Sequence, residues 1–393
     1  MHAAVIDETK ITRLTKPRMR VRELILVAIM ALIVLAFGVK KPSYNWDMIG
    51  YVAAALSAEG YQGASLNNAT YDSVRSEVGP HTFDQLTQDD YRETVFRDPA
   101  SLAQQLPFYR IRPLYVGLIR VVHAMGLEYP KSTYVASAIF AALSVVLLAF
   151  VAREIGAPVI AVPLVVLFSG FVDIARLSTP DAMACFFALL TIYALIRGST
   201  LVFFLAAVLP LVRTDFLLLS LLVLGHSFIF GQRKYAITSM TAACVLYGLV
   251  AKMNGAYGWL TLFNTSLVHK TAYPATLIPS HAIGDYLRPY ASMAYDFTMH
   301  PHFVIYGLAL WFLMRNKTRP PSADCRLLSA VFIIPMAFVA IHLLLFPAMT
   351  YRFFVFAASV VAIGLIGQMQ QGYTPRSKNH EHTQSRRAAS RSV

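Results

Sequence analysis

Four short stretches hold residues whose chemistry the surrounding composition does not explain. They are "NWDMIGY", with Asp47 and Tyr51; "RLSTPD", with Arg176 and Asp181; "VRTDF", with Arg213 and Asp215; and "YRFFVF", with Tyr351 and Arg352. A carboxylate at the edge of a membrane can deprotonate a hydroxyl, because partial desolvation raises its basicity. A guanidinium can take two phosphate oxygens at once and stabilise charge developing on a departing phosphate. The set therefore suits proton abstraction next to an anionic group, with Asp47 as candidate base and Arg352 as leading phosphate binder. The competing reading makes each aspartate a helix cap: Pro180 and Asp181 form an ordinary helix start, and Asp47 can open the helix "DMIGYVAAAL".

The elements that must position these residues follow from composition. The chain has 393 residues, 56% of them hydrophobic and 14% charged, with a mean hydropathy of +0.54, whereas an ordinary globular domain carries about 25% charged residues. That predicts an all-α polytopic membrane protein. Apolar runs at 24–39, 133–152, 157–172, 181–196, 200–212, 216–230, 235–250, 303–314, 327–346 and 353–367 give about ten transmembrane helices, within a range of nine to eleven. The net charge of +13 does not point to nucleic acid, because the basic residues gather at the two ends and in short connectors, as positive-inside topology requires. Cys185, Cys244 and Cys325 lie in or beside apolar runs without metal-ligand spacing.

Lys10, Arg13, Lys16, Arg18, Arg20 and Arg22 place the N-terminus in the cytoplasm, and "GQRK" (231–234), "RNKTR" (315–319) and the basic tail mark further cytoplasmic segments. Both termini inside requires an even number of spans. The segment 109–126, helical in period but holding Arg112, Arg120 and His123, would make eleven, so it reads as an amphipathic helix lying on the outer surface. The organisation is then a basic cytoplasmic N-terminus (1–22), a membrane-embedded domain (23–368) with outer loops 40–132 and 252–302, and a disordered basic cytoplasmic tail (369–393). Between Pro42 and Phe108 the first loop holds nine acidic residues against three arginines. Both loops are rich in aromatics and too long to be plain connectors. They add Arg110, Arg112, Tyr115, His281 and Arg288 to the candidates, although His123 and His281 read first as packing or interface residues.

At this point the chain resembles a family. An acidic residue just after the first span with a tyrosine four positions on (Asp47 and Tyr51), a Pro-Leu-Tyr amphipathic helix ("RPLYVGLIRVV") and the outward loop "RLSTPD" are similar to landmarks of the membrane-embedded glycosyltransferases of the C-type (GT-C) fold. "VRTDFLLL" and "YRFFVF" look like later landmarks, so the resemblance runs over most of 24–367. It implies a GT-C-like fold with a large first outer loop carrying amphipathic helices. It also implies an inverting hexosyl- or pentosyltransferase that moves a sugar from a polyprenyl-phosphate donor to an envelope lipid, glycan or protein acceptor. The expected setting is a bacterial inner membrane with the site facing the periplasm; the partners are the donor, the acceptor and membrane lipids. The resemblance implies Asp47 as catalytic base and a donor-phosphate site among Arg352, Arg176, Arg213, Arg112 and Arg110. Tyr51, Tyr115, Asp181, Asp215, Tyr351, His281 and Arg288 are further site candidates.

Two departures matter. Several members of the family carry paired acids in the first loop, whereas Trp46 and Met48 flank Asp47. A divalent metal therefore stays open with no paired acidic motif to hold it, and no other cofactor is implied. The alternative activities are a lipid-linked oligosaccharide ligase or polymerase, whose principal loop commonly falls in the later half, and a transporter or flippase, which would place charges inside its spans.

The topology has a direct test. Cysteines introduced near Asp72, Leu127 and Tyr273 should react with a membrane-impermeant thiol reagent from outside, and those near Arg233 and Lys317 should not. Protection at Leu127 would overturn the ten-span reading.

Overall fold

Long apolar runs interrupted by proline, glycine and charged turns give an all-helical chain. The computed structural model describes residues 19–315 and 324–373, and among these every regular element is helical. The basic segment 1–18, positions 316–323 of the connector expected in the cytoplasm, and 374–393 of the tail lie outside the described residues.

Helix α1 (Val21–Lys40) buries one stripe, Val27, Met30, Ala31, Val34 and Gly38, and exposes Leu24, Ile25, Ile29 and Leu32. The spacing of three and four is that of one helix face. The acidic first loop is not irregular chain. It forms α2 (Asp47–Ala58), α3 (Gly63–Glu77), α4 (Pro80–Thr87), α5 (Asp90–Arg97), α6 (Pro99–Gln105), α7 (Pro107–Arg110) and α8 (Pro113–Ala124). Prolines open four of these, where the missing N–H costs nothing and the fixed φ suits a first turn. Tyr71, Val74, Phe83, Leu86, Val95 and Leu102 give the loop its own small core. Within the segment 109–126, α8 has 12 residues, buries Tyr115, Val116, Ile119 and Val122, and packs on the next helix. It rises only about 18 Å.

There follow α9 (Tyr129–Glu154), α10 (Val162–Ser169), α11 (Phe171–Arg176), α12 (Asp181–Ile196), α13 (Leu201–Val212), α14 (Phe216–Ile229) and α15 (Arg233–Met253). The chain ends through α16 (Trp259–Phe263), α17 (Ile283–Met299), α18 (Pro301–Arg315), α19 (Asp324–Leu328), α20 (Ile334–Leu345) and α21 (Val355–Tyr373). Five helices, Val21–Lys40, Tyr129–Glu154, Arg233–Met253, Cys325–Leu345 and Tyr351–Gln370, are long and apolar enough to cross a membrane. A sixth joins them if α17 and α18, bent by 83° at their break, make one span. Apolar helices of this length, with further shorter ones beside them, mark a multi-pass membrane protein.

The remaining apolar runs are shorter helices. The run 157–172 is divided at Gly170, whose φ of +92° is a left-handed conformation that ends α10. The runs 181–196, 200–212 and 216–230 form helices of 16, 12 and 14 residues. Even 16 residues rise only about 24 Å against a hydrocarbon core of about 30 Å. Their ends are set by the charged turns at 176–181 and 213–215, which cannot be drawn further into an apolar layer. Close packing draws the bundle together: a Cβ on Gly38 would sit 2.5 Å from the Ala138 Cβ and 2.6 Å from the Ala175 carbonyl oxygen. Glycine is what lets α1 approach α9 and α11.

The two long loops dock on each other at one end of the bundle. Ser101 Oγ and Gln105 Nε2 both donate to the Ala272 carbonyl, at 2.7 and 2.9 Å. Tyr257 donates to the Gln104 carbonyl at 3.0 Å, and Tyr273 donates to Asp98 at 2.7 Å. That Tyr273 bond, with the Ala100 amide, holds the Asp98 carboxyl below the usual carboxylate range. Lys270 completes the seam 4.2 Å over the Tyr91 ring, where burial lowers its pKa.

Candidate active site

The charged turns meet under this loop-bearing end. Asp47 is the first residue of α2, favourable at a helix N-terminus. It is held to the "RLSTPD" turn by its neighbour but one: Asn45 donates through Nδ2 to Asp47 Oδ2 at 2.8 Å and accepts through Oδ1 from the Ser178 amide at 3.0 Å. The Ser43 amide donates to the Arg176 carbonyl at 2.8 Å and closes the same seam. Tyr109 reaches Asp47 Oδ1 at 3.4 Å. Its ring can lie there only because residue 50 is glycine, whose added Cβ would fall 2.3 Å from the ring.

From Asp47 a chain of alternating charge runs inward. Arg352, in the 3-10 turn before α21, donates through Nη2 to Asp47 Oδ2 at 3.1 Å, and its Nε lies 3.3 Å from Asp181 Oδ2. Asp181, the first residue of α12, also accepts from Thr179 at 2.8 Å and pairs with Arg213. Arg213 then forks onto Asp215, Nε to Oδ1 at 3.0 Å and Nη2 to Oδ2 at 2.8 Å. His342, inside α20, donates from Nε2 to Asp215 Oδ2 at 3.2 Å. The Asp181 and Arg213 side chains are 2% and 4% exposed, whereas Asp47 and Arg352 at one end are 29% and 23% exposed and Asp215 toward the other is 28% exposed. The Phe353 ring lies between the two arginines, 4.0 Å from the Arg213 guanidinium and 5.5 Å from that of Arg352. Such stacking further restricts the forks.

A second layer backs the array. Arg112 donates through Nη1 to the Tyr51 hydroxyl at 2.9 Å and to the Phe108 carbonyl at 2.7 Å. Tyr51 meets Tyr109 and Tyr115 edge-on at 4.9 and 4.8 Å, and Tyr115 donates to the Thr133 carbonyl at 3.0 Å.

Of the residues singled out from sequence, Asp47, Arg352, Asp181, Arg213 and Asp215 form the array, and Tyr51, Arg112 and Tyr115 stand behind it. Arg110 bonds Ser57 Oγ instead, and Arg176 donates to the Lys41 carbonyl. Tyr351 turns away from the array and stacks on His300 at 4.8 Å. His281 and Arg288 are exposed on the second loop and take part in none of the array's bonds. His123 stacks on Tyr129 at 3.8 Å, away from the array. Sequence reasoning passed over Asn45, Thr179, Tyr109 and His342. His342 carried a usable signal, as an ionisable residue inside the apolar run "AFVAIHLLLF". Among the described residues no three His, Cys, Asp or Glu side chains converge as ligands for a metal ion. Each array carboxylate instead faces a guanidinium. No family model, curated protein or solved structure matches the chain.

The inner half of the array has a stability consequence. Removing one partner of a buried pair leaves an uncompensated charge, at a cost of about 3–5 kcal/mol. Arg213→Met should therefore sharply lower the amount of folded protein in membranes. Adding Asp181→Asn and Asp215→Asn should recover part of it, because the orphaned charges are then gone. A triple variant less stable than Arg213→Met alone would show that the array is not coupled in this way.

Proposed function

We propose that the chain transfers a sugar from a polyprenyl-phosphate donor to an envelope acceptor, with Asp47 as base and Arg352 holding the donor phosphate. The observation that carries this reading is the accessible outer end of the array, where a carboxylate and a guanidinium lie 3.1 Å apart at the rim of a buried charged chain. Transfer needs these two groups close together, since the attacked carbon is bonded to the phosphate oxygen that leaves. An inverting, in-line attack puts acceptor and phosphate on opposite sides of that carbon. The Asp47–Arg352 pair must then open by several ångströms as donor and acceptor enter, with reacting atoms about 3–3.5 Å apart. Asp181 offers Arg352 a second carboxylate on which to pivot. Asp47 is freed most easily on its Oδ1 side, where its one donor, Tyr109, lies at the long end of hydrogen bonding.

The proposal also includes the finer topology: about ten spans in a GT-C-like arrangement, a bacterial inner membrane, cytoplasmic termini and an outward-facing site. Docking of the two long loops over the array supports a common outer side.

Mass spectrometry of envelope glycans and lipids, with and without the intact protein, would identify the transferred group. With that assay, Asp47→Asn should reduce transfer by about 10² to 10⁴ at matched protein level, the usual range for losing a general base. Asparagine caps a helix about as well as aspartate, so near wild-type turnover would leave Asp47 a structural cap. Arg352→Ala should weaken use of the donor, and Arg352→Lys should restore it in part, since lysine keeps the charge and loses the fork. Full activity in the alanine variant would remove Arg352 from the donor site.

A further inference from the structure

Helix α17 has three faces of different chemistry, and only one of them is covered by protein. With 100° between successive residues, Tyr286, Pro289, Tyr290, Met293 and Phe297 share one side. Together with Asp285, which accepts from Ser280, these are the partly or fully buried positions of the helix. Asp285, Arg288, Ser292 and Asp296 form a polar side, ended by the exposed Met299 in the last turn. Between them runs an exposed stripe of Ile283, Leu287, Ala291 and Ala294, joined by Thr298 in the last turn, with Ile283 76% and Leu287 62% exposed.

Two hydrogen bonds fix the level at which this stripe lies. Tyr290 donates to the Leu344 carbonyl at 2.7 Å, and Trp259 of α16 donates through Nε1 to the Leu345 carbonyl at 3.0 Å. Leu344 and Leu345 end one of the helices long enough to cross a membrane. Helix α17 is therefore pinned at the end of a span, at the level of the membrane–water boundary. The 83° bend between α17 and α18 lays it nearly perpendicular to a helix whose own side presents Phe303, Val304, Leu308 and Trp311 to the outside. The apolar stripe is thus continuous with a surface of the kind that faces lipid. Trp259 and Ile278 of the same loop are exposed as well, and tryptophan is enriched at the membrane–water boundary.

We infer that α17 is an interfacial helix. Ile283, Leu287, Ala291 and Ala294 rest in the lipid leaflet on the loop-bearing side, and Arg288, Ser292 and Asp296 face water. Its partner is the phospholipid surface itself. This assignment is independent of what the charged array does. It gives the array a lipid border, because His300, just past the end of α17, stacks on Tyr351, the residue before Arg352.

The test uses the full chain with the exposed Cys244 and Cys325 replaced by serine, carrying a nitroxide at Leu287→Cys, Ile283→Cys or Ser292→Cys. The protein is reconstituted into phosphatidylcholine–phosphatidylglycerol vesicles. Oxygen concentrates in lipid and a nickel chelate in water, so the ratio of oxygen to nickel collisions reports which medium a label occupies. The ratio at 283 and 287 should exceed that at 292 severalfold. Equal ratios at all three sites would leave α17 without a lipid-facing side. Loss of both collision partners at 287 would show the stripe covered by protein. Either result overturns the inference.

Discussion

The structure depends on the burial of Arg213. A guanidinium only 4% exposed loses several kcal/mol of hydration, and it is tolerable only with carboxylates on more than one side. Asp181 and Asp215 supply them, and each of these needs its own remaining oxygens satisfied. Thr179 and Arg352 answer for Asp181, and His342 for Asp215. The requirement propagates until it reaches Asp47 and Asn45 at the edge of the bundle. Five separate parts of the chain, α2, the "RLSTPD" turn, the turn between α13 and α14, α20 and the turn before α21, must therefore meet at one level. A mismatch anywhere would leave a buried charge without a partner.

That constraint explains why α12, α13 and α14 are short. A helix whose end carries a buried ion pair cannot slide along its axis to cover more apolar thickness without dragging the charge into hydrocarbon. Length is given up where position is fixed. The two long loops then close over the charged level, with a polar seam around Ala272 and Gln104.

Much of this arrangement was legible in the sequence, for reasons that also mark where legibility ends. Charged residues at the ends of apolar runs are conspicuous because the background is so apolar, and "RLSTPD", "VRTDF" and "YRFFVF" stood out for that reason. Hydropathy also located the runs that become α1, α9, α15, α18, α20 and α21. It could not tell which runs cross a membrane unbroken, because the stop at Gly170 depends on backbone conformation and the 83° turn at His300 on packing. Polar neutral groups were harder still. Asn45 looks like any loop asparagine until the Ser178 amide is placed beside it, and Tyr109 depends on a glycine 59 positions earlier. The resemblance implied amphipathic helices in the first loop, but their residues located only the segment 109–126; the helices between 63 and 105, and α17 in the second loop, have apolar residues that are sparse and interleaved with charge.

The array also has a direction. Counting formal charge, three aspartates face two arginines within it, and Arg112, which bonds Tyr51 and a carbonyl but no carboxylate, adds a third positive group behind Tyr51. On the proposed reading a phosphate entering at Arg352 competes with Asp47 for the same guanidinium. It can win without stranding a buried charge, because Asp47 sits at an exposed end and water can solvate it. At Arg213 a phosphate would have to displace the bidentate Asp215 or the buried Asp181, and the guanidinium itself is only 4% exposed. The array is therefore buried in its middle, at Asp181 and Arg213, and partly exposed at both ends, at Asp47 and at Asp215. On the proposed reading the pair that opens is Asp47–Arg352, because Arg352 keeps Asp181 as a second carboxylate when Asp47 leaves it.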